Sequence, residues 1–401
     1  MRAFLSCFSS LALLLVPGCR TGNFPEYSAN YREYAYVANS GSNTVSVLDL
    51  VHMRPQAVLQ VGAHPVALVT SPVRNEVYAV SQGAAGGRGT LAILDAENNR
   101  VARTLPLGKA PNALAIDPPG ARLYVTNTGS NNVSVVDLKK RQAMGMTGVG
   151  EAPDAIAVSP DNTTLVVANG GSGSVSLMDV SESALPRLRA SFSGCPGAGS
   201  IAVLRDSSKA FIACSGGHQV MVLGLRGSTL GRSRGLGIAE EDRLLAVLDV
   251  GRAPVRLVLK PDGGEIFVTN HDSDTISEIA TGTNEVGGAS LIGSRPSSGV
   301  VSADNSLLWV ANEGADTVAV YSIDDGKLIN TVHVGSGPGP LAFSADEHLL
   351  LAADTRSGDI SVLRVFSRNF HREPVYGTLF TLLPAGKNPS AIADKAFQVP
   401  R

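Results

Sequence analysis

The sequence predicts an all-β fold assembled from eight similar units, each made of four short antiparallel strands. A four-residue core, "YVAN" at Tyr36 and "YVTN" at Tyr124, returns along the chain at steps of mostly 42 residues. A turn of the form Gly-x-x-Pro precedes most of these cores. The 401 residues include 43 Gly and are only 17% charged, a composition that suits short strands and tight turns better than helices.

Eight copies of the core define the units. The copies begin at Tyr36, Tyr78, Tyr124, Val166, Phe211, Phe267, Trp309 and Leu351. The prolines of the preceding turns are Pro65, Pro111, Pro153, Pro254, Pro296 and Pro338, with Pro196 in a variant turn before the fifth copy. Longer steps follow the second, fourth and fifth copies, where extra loop residues are inserted.

Within a unit, apolar and polar residues alternate, as in "NALAID", "RLYVTN" and "NVSVVD". This period of two, interrupted by Pro-Asp, Gly-Ser or Asn-Gly turns, predicts four short strands per unit. Units of about 40 to 45 residues with four strands are the blades of a β-propeller, whose twisted sheets surround a central channel. A solenoid is the competing repeat fold, but the tight hairpin turns disfavour it. We predict eight antiparallel blades, with seven as the alternative.

The two ends of the repeat predict how the ring closes. The first core, at Tyr36, has no Gly-x-x-Pro strand before it, whereas "GKNPSAIADKAF" at 386–397 is such a strand with no core after it. We therefore expect the C-terminal strand to lie innermost in the N-terminal blade. A single propeller domain over residues 34–397 follows.

Residues 1–18 predict an export signal. Arg2 supplies a positive start, an apolar run follows, and Gly18 precedes Cys19. A single transmembrane helix is the weaker alternative because the apolar run is shorter than the roughly 20 residues that a span needs. The segment resembles a bacterial lipoprotein signal. That resemblance implies lipidation of Cys19, a tether over residues 19–33, and attachment in the cell envelope, on the periplasmic side or at the outer membrane.

The core "YVTN" followed by "VSVVD" resembles the YVTN family of β-propeller repeats, over Tyr34 to about Phe397. The resemblance implies the fold and an extracytoplasmic location. It implies no activity, because one fold hosts many functions. Related lactonase-type and quinone-dependent dehydrogenase propellers imply that such a scaffold can also support catalysis.

Charge and motifs disfavour several classes of function. The net charge of −2 arises from 33 basic and 35 acidic residues without a like-charge run, so nucleic-acid binding has no electrostatic footprint. The His and Cys residues form no H-x-x-x-H or C-x-x-C motif, and no Gly-rich phosphate loop opens a helix. Neither a metal site nor a cofactor is predicted.

The Gly-x-x-Pro loops are the predicted ligand site because each joins the outer strand of one blade to the inner strand of the next, at the channel mouth. Their variable positions carry His64, Lys109, Glu151, Asp154, Arg252, Arg256, Arg295 and Lys387. Variation within a repeated frame is typical of a ligand site, although a solvated rim of unrelated charges would have the same composition. Rigid scaffolds with variable loops suit recognition.

We therefore expect a binding or scaffolding module rather than an enzyme. Its partner would be an envelope protein, a glycan or a small anionic ligand. The alternatives are a channel-mouth enzyme of lactonase or oxidoreductase type and a structural envelope protein.

Two cysteines predict a disulfide. Removal of the signal eliminates Cys7 and lipidation occupies Cys19, which leaves Cys195 and Cys214 in an oxidising compartment. Cys214 replaces the Asn that ends most cores, and Cys195 lies in the loop before the first strand of the same blade. An antiparallel hairpin turning near Asp206 brings the two together. The disulfide would replace the loop-to-strand link that Asn makes in other blades.

Overall fold

The computed structural model describes residues 25–181, 184–227, 241–368 and 373–399, and the regular structure in these ranges consists of β-strands. The strands form eight antiparallel sheets of four, one for each predicted unit. The prediction of eight blades is therefore correct. Blades are numbered here by the order of their cores along the chain.

The first four blades have the following strands. Blade 1 contains β1 (Tyr31–Asn39), β2 (Thr44–Asp49), β3 (Arg54–Gln60) and the C-terminal β32 (Pro389–Gln398). Blade 2 contains β4 (Pro65–Thr70), β5 (Glu76–Ser81), β6 (Arg88–Asp95) and β7 (Arg100–Lys109). Blade 3 contains β8 (Pro111–Ile116), β9 (Arg122–Asn127), β10 (Asn132–Asp137) and β11 (Gln142–Gly148). Blade 4 contains β12 (Pro153–Val158), β13 (Thr164–Asn169), β14 (Ser174–Asp179) and β15 (Arg187–Ser193).

The last four blades follow the same plan. Blade 5 contains β16 (Ala198–Val203), β17 (Lys209–Cys214), β18 (Gln219–Gly224) and β19 (Arg243–Asp249). Blade 6 contains β20 (Pro254–Leu259), β21 (Glu265–Asn270), β22 (Thr275–Ala280) and β23 (Glu285–Leu291). Blade 7 contains β24 (Pro296–Val301), β25 (Leu307–Asn312), β26 (Thr317–Ser322) and β27 (Lys327–His333). Blade 8 contains β28 (Pro338–Phe343), β29 (Leu349–Asp354), β30 (Asp359–Arg368) and β31 (Pro374–Pro384).

The ring closes through β32, as predicted. This strand pairs antiparallel with β1, from Tyr31 opposite Gln398 to Asn39 opposite Pro389. Each inner strand contacts the inner strands of both neighbouring blades, so β32 lies between β28 and β4 and completes the circle around the channel. Ser390 Oγ donates a hydrogen bond of 2.8 Å to the carbonyl of Pro65, which links the closing strand to blade 2.

The hydrophobic core of the protein is divided among the interfaces between blades. The described residues form eight apolar clusters, and each joins the facing sheets of two adjacent blades. Alternate side chains of the second and third strands supply most of their residues, because successive residues of a strand point to opposite faces of the sheet. Trp309 is fully buried at the interface of blades 7 and 8.

Each Gly-x-x-Pro loop leads into a blade, and its Gly packs against the last residue of the four-residue core in that same blade. A Cβ atom on Gly251 would lie 2.6 Å from Cγ of Asn270, and one on Gly150 would lie 2.7 Å from Cγ of Asn169. These Asn side chains are fully buried and bond within the blade; Asn270 Nδ2 donates to Ser277 Oγ at 2.9 Å. The contact leaves no room for any residue but Gly while Asn is present.

In blade 5, cysteine replaces both members of this contact. Cys195 stands where the other blades have Gly, and Cys214 stands at the Asn position. The two form a disulfide with a Cα–Cα distance of 4.8 Å, and both are fully buried. The predicted disulfide is confirmed, and it occupies the same place as the Gly–Asn contact.

This exchange predicts an unusual order of stability among blade 5 variants. Cys214→Asn should be the least stable because the Cβ of Cys195 collides with the new amide. Cys195→Gly/Cys214→Asn, which restores the pair of the other blades, should recover part of the loss, although it still lacks the roughly 3 kcal/mol that a disulfide closing a loop of this length contributes. Urea unfolding under non-reducing conditions ranks the three proteins. A double variant no more stable than Cys214→Asn would contradict the steric explanation.

Candidate ligand site at the channel mouth

Two sets of loops share one end of the channel. The Gly-x-x-Pro loops lead into the inner strands, and the turns that follow the cores lie beside them. The two are joined by backbone hydrogen bonds, such as Thr128 N to the carbonyl of Ala110 and His271 N to the carbonyl of Ala253, both at 3.0 Å. We call this end of the propeller the loop face.

Six of the predicted site residues occupy the two positions before the proline. They are His64, Lys109, Glu151, Arg252, Arg295 and Lys387, and all six are exposed. Each precedes the inner strand of a different blade, so they are spread around the rim and do not converge on one point. Only Arg252 and Arg295, in neighbouring blades, belong to a common cluster.

That cluster is a charge network across blades 6 to 8. Its members are Arg252, His271, Asp272, Arg295, Glu313, Asp316 and Arg356. His271 links blades 6 and 7, since its Nδ1 lies 2.6 Å from Asp272 Oδ1 and its Nε2 lies 3.3 Å from Glu313 Oε1. Arg356 of blade 8 donates to Asp316 Oδ1 at 2.7 Å.

The charges of this network satisfy one another. Both ring nitrogens of His271 face carboxylates, and the hydrogen bond from His271 lowers the pKa of Asp272. The backbone N–H of Gly337 and the Arg356 guanidinium lower the pKa of Asp316. A general base needs a free nitrogen or oxygen within reach of substrate. His271 therefore links two blades, and neither of its ring nitrogens is free to act as a base.

Arg256 differs from the residues of the charge network. It lies two residues after the proline on inner strand β20, where the other blades have Ala, Ser or Pro: Ala67, Ala113, Ala155, Ser200, Ser298, Pro340 and Ala391. Its side chain is open to solvent in the channel, but surrounding protein desolvates it and lowers its pKa. Within the described residues it makes no side-chain hydrogen bond or ion pair. A charged group held this way is costly unless something pairs with it.

Asp154 is the second charged residue that an inner strand places at this mouth. It follows Pro153 directly, and the side chain of Asn112 on the preceding inner strand donates to its Oδ1 at 2.6 Å. Desolvation raises the pKa of the Asp154 carboxyl, although the side chain is open to the channel. Its Oδ2 makes no hydrogen bond in the described part of the chain. Of the eight predicted site residues, Asp154 and Arg256 are the two on inner strands.

Two other features are less suited to be the site. A cleft of about 640 Å³ lies between blades 7 and 8, but Lys327, Ile329 and Tyr376 place it at the outer strands, away from the channel. At the opposite mouth, burial and the nearby Glu33 and Asp346 raise the pKa of Asp394 to about 8. Both carboxylate oxygens of Glu33 are already bonded, to Tyr31 and to the N–H of Ala345.

Sequence reasoning missed five members of the charge network: His271, Asp272, Glu313, Asp316 and Arg356. A signal was available. The residue after the core is Ser40, Gln82, Thr128, Gly170, Ser215 and Thr355 in six blades, but His271 and Glu313 in the other two. Ionisable residues at a position that is otherwise neutral mark blades 6 and 7.

Comparison with known proteins supports the propeller fold. A family described as a lactonase with a seven-bladed β-propeller matches residues 277–371, about a quarter of the chain. The matched segment begins in β22 and includes Arg295, Glu313 and Arg356. The present protein has eight blades. No curated protein matches the sequence significantly.

Several solved structures resemble this one at low sequence identity. Dihydro-heme d1 dehydrogenase NirN is 16% identical with a TM-score of 0.68, over 93% of this chain and 76% of its own. Hydrazine synthase of Kuenenia stuttgartiensis is 20% identical with a TM-score of 0.54, over 75% and 95%. A candidate 6-phosphogluconolactonase of Bacteroides fragilis is 14% identical with a TM-score of 0.59, over 78% and 98%. At such identities the likeness shows the fold alone.

The described residues lack two features. No helix there is long and apolar enough to cross a membrane. No group of three or more His, Cys, Asp or Glu side chains in those ranges could hold a metal ion. The predicted lipidation site, Cys19, lies outside the described residues.

Proposed function

We propose that the protein is a binding module that takes an anionic group at the loop-face mouth of the channel, with Arg256 as its principal contact. The observation that carries this proposal is the isolation of Arg256. It is the single charged side chain at a position that is Ala, Ser or Pro in the other blades, it is exposed on an inner strand, and its charge is unpaired within the described residues.

The chemistry of arginine suits this role. A guanidinium presents five N–H donors in a planar fork, binds carboxylate or phosphate in a bidentate manner, and keeps its charge even when partly desolvated. The residues before and after it in the ring, Ser200 and Ser298, are small, so a ligand can approach. Ser200 Oγ accepts a hydrogen bond from Leu257 N and so fixes the strand that carries Arg256.

The cellular setting belongs to the proposal. Residues 1–18 would direct export, and lipidation of Cys19 would attach the propeller to the cell envelope through the tether. The Cys195–Cys214 disulfide supports export because such bonds persist in oxidising compartments. The ligand would then come from the envelope or from outside the cell, as an anionic small molecule, a glycan or an acidic group on a protein.

The test replaces one charge at a time on the same face. We expect the protein to bind phosphate or acetate weakly at low ionic strength, and Arg256→Gln to weaken that binding about 10- to 100-fold, the value of a charged hydrogen-bond pair. Lys109→Gln removes an equal charge from the exposed rim and should change the affinity less than about two-fold, because exposed charges are screened. NMR titration of the two variants measures both. Equal losses of affinity in the two variants would indicate that the anion binds to the charges of the rim in general. An unchanged affinity in Arg256→Gln would reject Arg256 as the binding site.

Lactone hydrolysis is the second candidate function. The partial match to the lactonase family favours it, and so does the desolvated carboxyl of Asp154, which could act as a base at the same mouth. Proton release from a set of five- and six-membered lactones tests it. Hydrolysis that Asp154→Asn abolishes would show that the channel mouth is an active site. A rate of lactone hydrolysis equal to the uncatalysed rate would leave binding as the only proposed function.

A further inference from the structure

We infer that the ligand of the channel mouth is dipolar: an anionic group binds Arg256 and a cationic ammonium group binds Asp154, so that one molecule spans the inner strand of blade 5. This inference rests on the proposed function and adds the class of ligand to it. An ω-amino carboxylate is the simplest molecule of this class.

The first support is the pattern of charge on the inner strands. At the position directly after the proline, where Asp154 stands, the other blades have Val66, Asn112, Gly199, Val255, Ser297, Gly339 and Ser390. Asp154 is thus the single charged residue at its position, as Arg256 is at the next one. Two charges of opposite sign at one mouth, on inner-strand positions that are neutral in the other blades, suit a ligand that carries both charges.

The second support is that the two groups do not neutralise each other. Neither Arg256 nor Asp154 makes an ion pair in the described chain, and desolvation raises the pKa of Asp154 although the hydrogen bond from Asn112 lowers it. Both groups have lost part of their hydration, so each gains from an external partner of opposite charge. A ligand that supplied only an anion would leave the Asp154 carboxylate without a cationic partner.

The third support is the space between the two residues. The inner strand of blade 5 separates them, and its corresponding residues are Gly199 and Ser200. A Cβ atom on Gly199 would meet nothing closer than the carbonyl oxygen of Gly197, at 3.7 Å. No side chain at Gly199 fills the space between the two charged groups, which leaves room for an extended ligand.

The ammonium end also has a free acceptor. Asn112 Nδ2 donates to Asp154 Oδ1 and, at 3.1 Å, to the carbonyl of Asp154, while Oδ2 remains without a hydrogen bond in the described residues. An ammonium has three donors and can use Oδ2 without displacing Asn112. Because the free carboxyl has a raised pKa, binding of the ammonium should weaken as acid protonates Asp154.

The experiment compares molecules with one charge and with two. The probes are ω-amino carboxylates from 3-aminopropanoate to 8-aminooctanoate, each paired with the carboxylate and the amine of the same length. We expect at least one amino carboxylate to bind roughly ten-fold more tightly than its matched carboxylate. Asp154→Asn should abolish this preference while leaving carboxylate binding intact, and Arg256→Gln should weaken both. Glu151→Gln, which removes an exposed acid from the same loop, is the control.

The outcomes separate this inference from the proposed function. If carboxylates bind through Arg256 but no amino carboxylate of any length is preferred, the dipolar ligand is rejected and the anion site stands. A preference that persists in Asp154→Asn, or that Glu151→Gln removes equally, also rejects it. If Arg256→Gln changes no affinity, both the inference and the proposed function fail. Far-UV circular dichroism and thermal unfolding confirm that the variants are folded.

Discussion

Replacing Asp354 with Asn is expected to raise the free energy of unfolding by on the order of 4 kcal/mol at pH 8 and by little at pH 4. Asp354 ends the core of blade 8, where five other blades have Asn, and it is fully buried. Its Oδ2 accepts hydrogen bonds from the N–H and Oγ of Ser361, and its Oδ1 has no partner in the described structure. Burial, reinforced by the nearby Asp359, raises the pKa of Asp354 from 3.8 to about 7.

The direction of the pH dependence follows from this shift. The folded protein retains a proton on Asp354 up to about pH 7, whereas the unfolded chain releases it near pH 3.8. The wild-type protein therefore loses stability as pH rises from about 4 to 7, and it has lost the whole contribution above that range. Asn carries no charge at any pH, and its amide can donate to Ser361 as Asn169 donates to Ser176 in blade 4.

The reciprocal substitution is the matched control. Asn127→Asp places a carboxyl in the equivalent site of blade 3, where Asn127 accepts a hydrogen bond from Gly108 N and donates to Ser134. It should destabilise the protein more at pH 8 than at pH 4. Denaturant unfolding across this range measures both variants. A difference between Asp354→Asn and wild type that stays constant with pH would show that Asp354 does not titrate in this way.

Deleting Pro389 to the C-terminus is expected to abolish cooperative folding. The deletion removes β32, leaves β1 as a free edge and interrupts the ring between blades 8 and 2. It also uncovers apolar surface, since Phe397 packs beside Tyr34 with ring centroids 6.0 Å apart. An unpaired edge next to exposed apolar residues promotes aggregation, and each large buried side chain contributes about 2 kcal/mol.

Size-exclusion chromatography and thermal unfolding measure this effect. The truncated protein should aggregate or melt broadly at a temperature lower by more than about 10 °C, well beyond the shift expected for a 1 kcal/mol change. Removal of residues 400 and 401 alone, which follow β32, is the control. A truncated protein with an unchanged, sharp transition would mean that the ring does not depend on its closing strand.

The fold could be predicted because every blade repeats the same pattern of strands and turns. The cores, the Gly-x-x-Pro turns and the period of two recur eight times, so a weak local signal becomes a strong one. The unmatched strand at 386–397 and the unmatched core at Tyr36 also predicted the closure. The pair Cys195 and Cys214 was predictable because Cys214 replaces the recurring Asn and an antiparallel hairpin brings Cys195 beside it.

The site was harder to predict because the repeat shows which positions vary but not which way they face. His64, Lys109 and Lys387 looked equivalent to Arg256 in the sequence, yet they lie on the exposed rim, whereas Arg256 lies on an inner strand. The network around His271 escaped notice because its members come from three blades and meet only when the ring forms. Contacts between blades depend on the closed ring, which a repeat pattern does not specify residue by residue.

The position of a bound anion tests the central claim most directly. Crystals grown with selenate, an anomalously scattering tetrahedral anion, should show an anomalous peak within hydrogen-bonding distance of the Arg256 guanidinium, and crystals of Arg256→Gln should lack it. Peaks confined to exposed rim residues such as Lys109 and Lys387, or a peak that persists at the channel mouth in Arg256→Gln, would contradict the account.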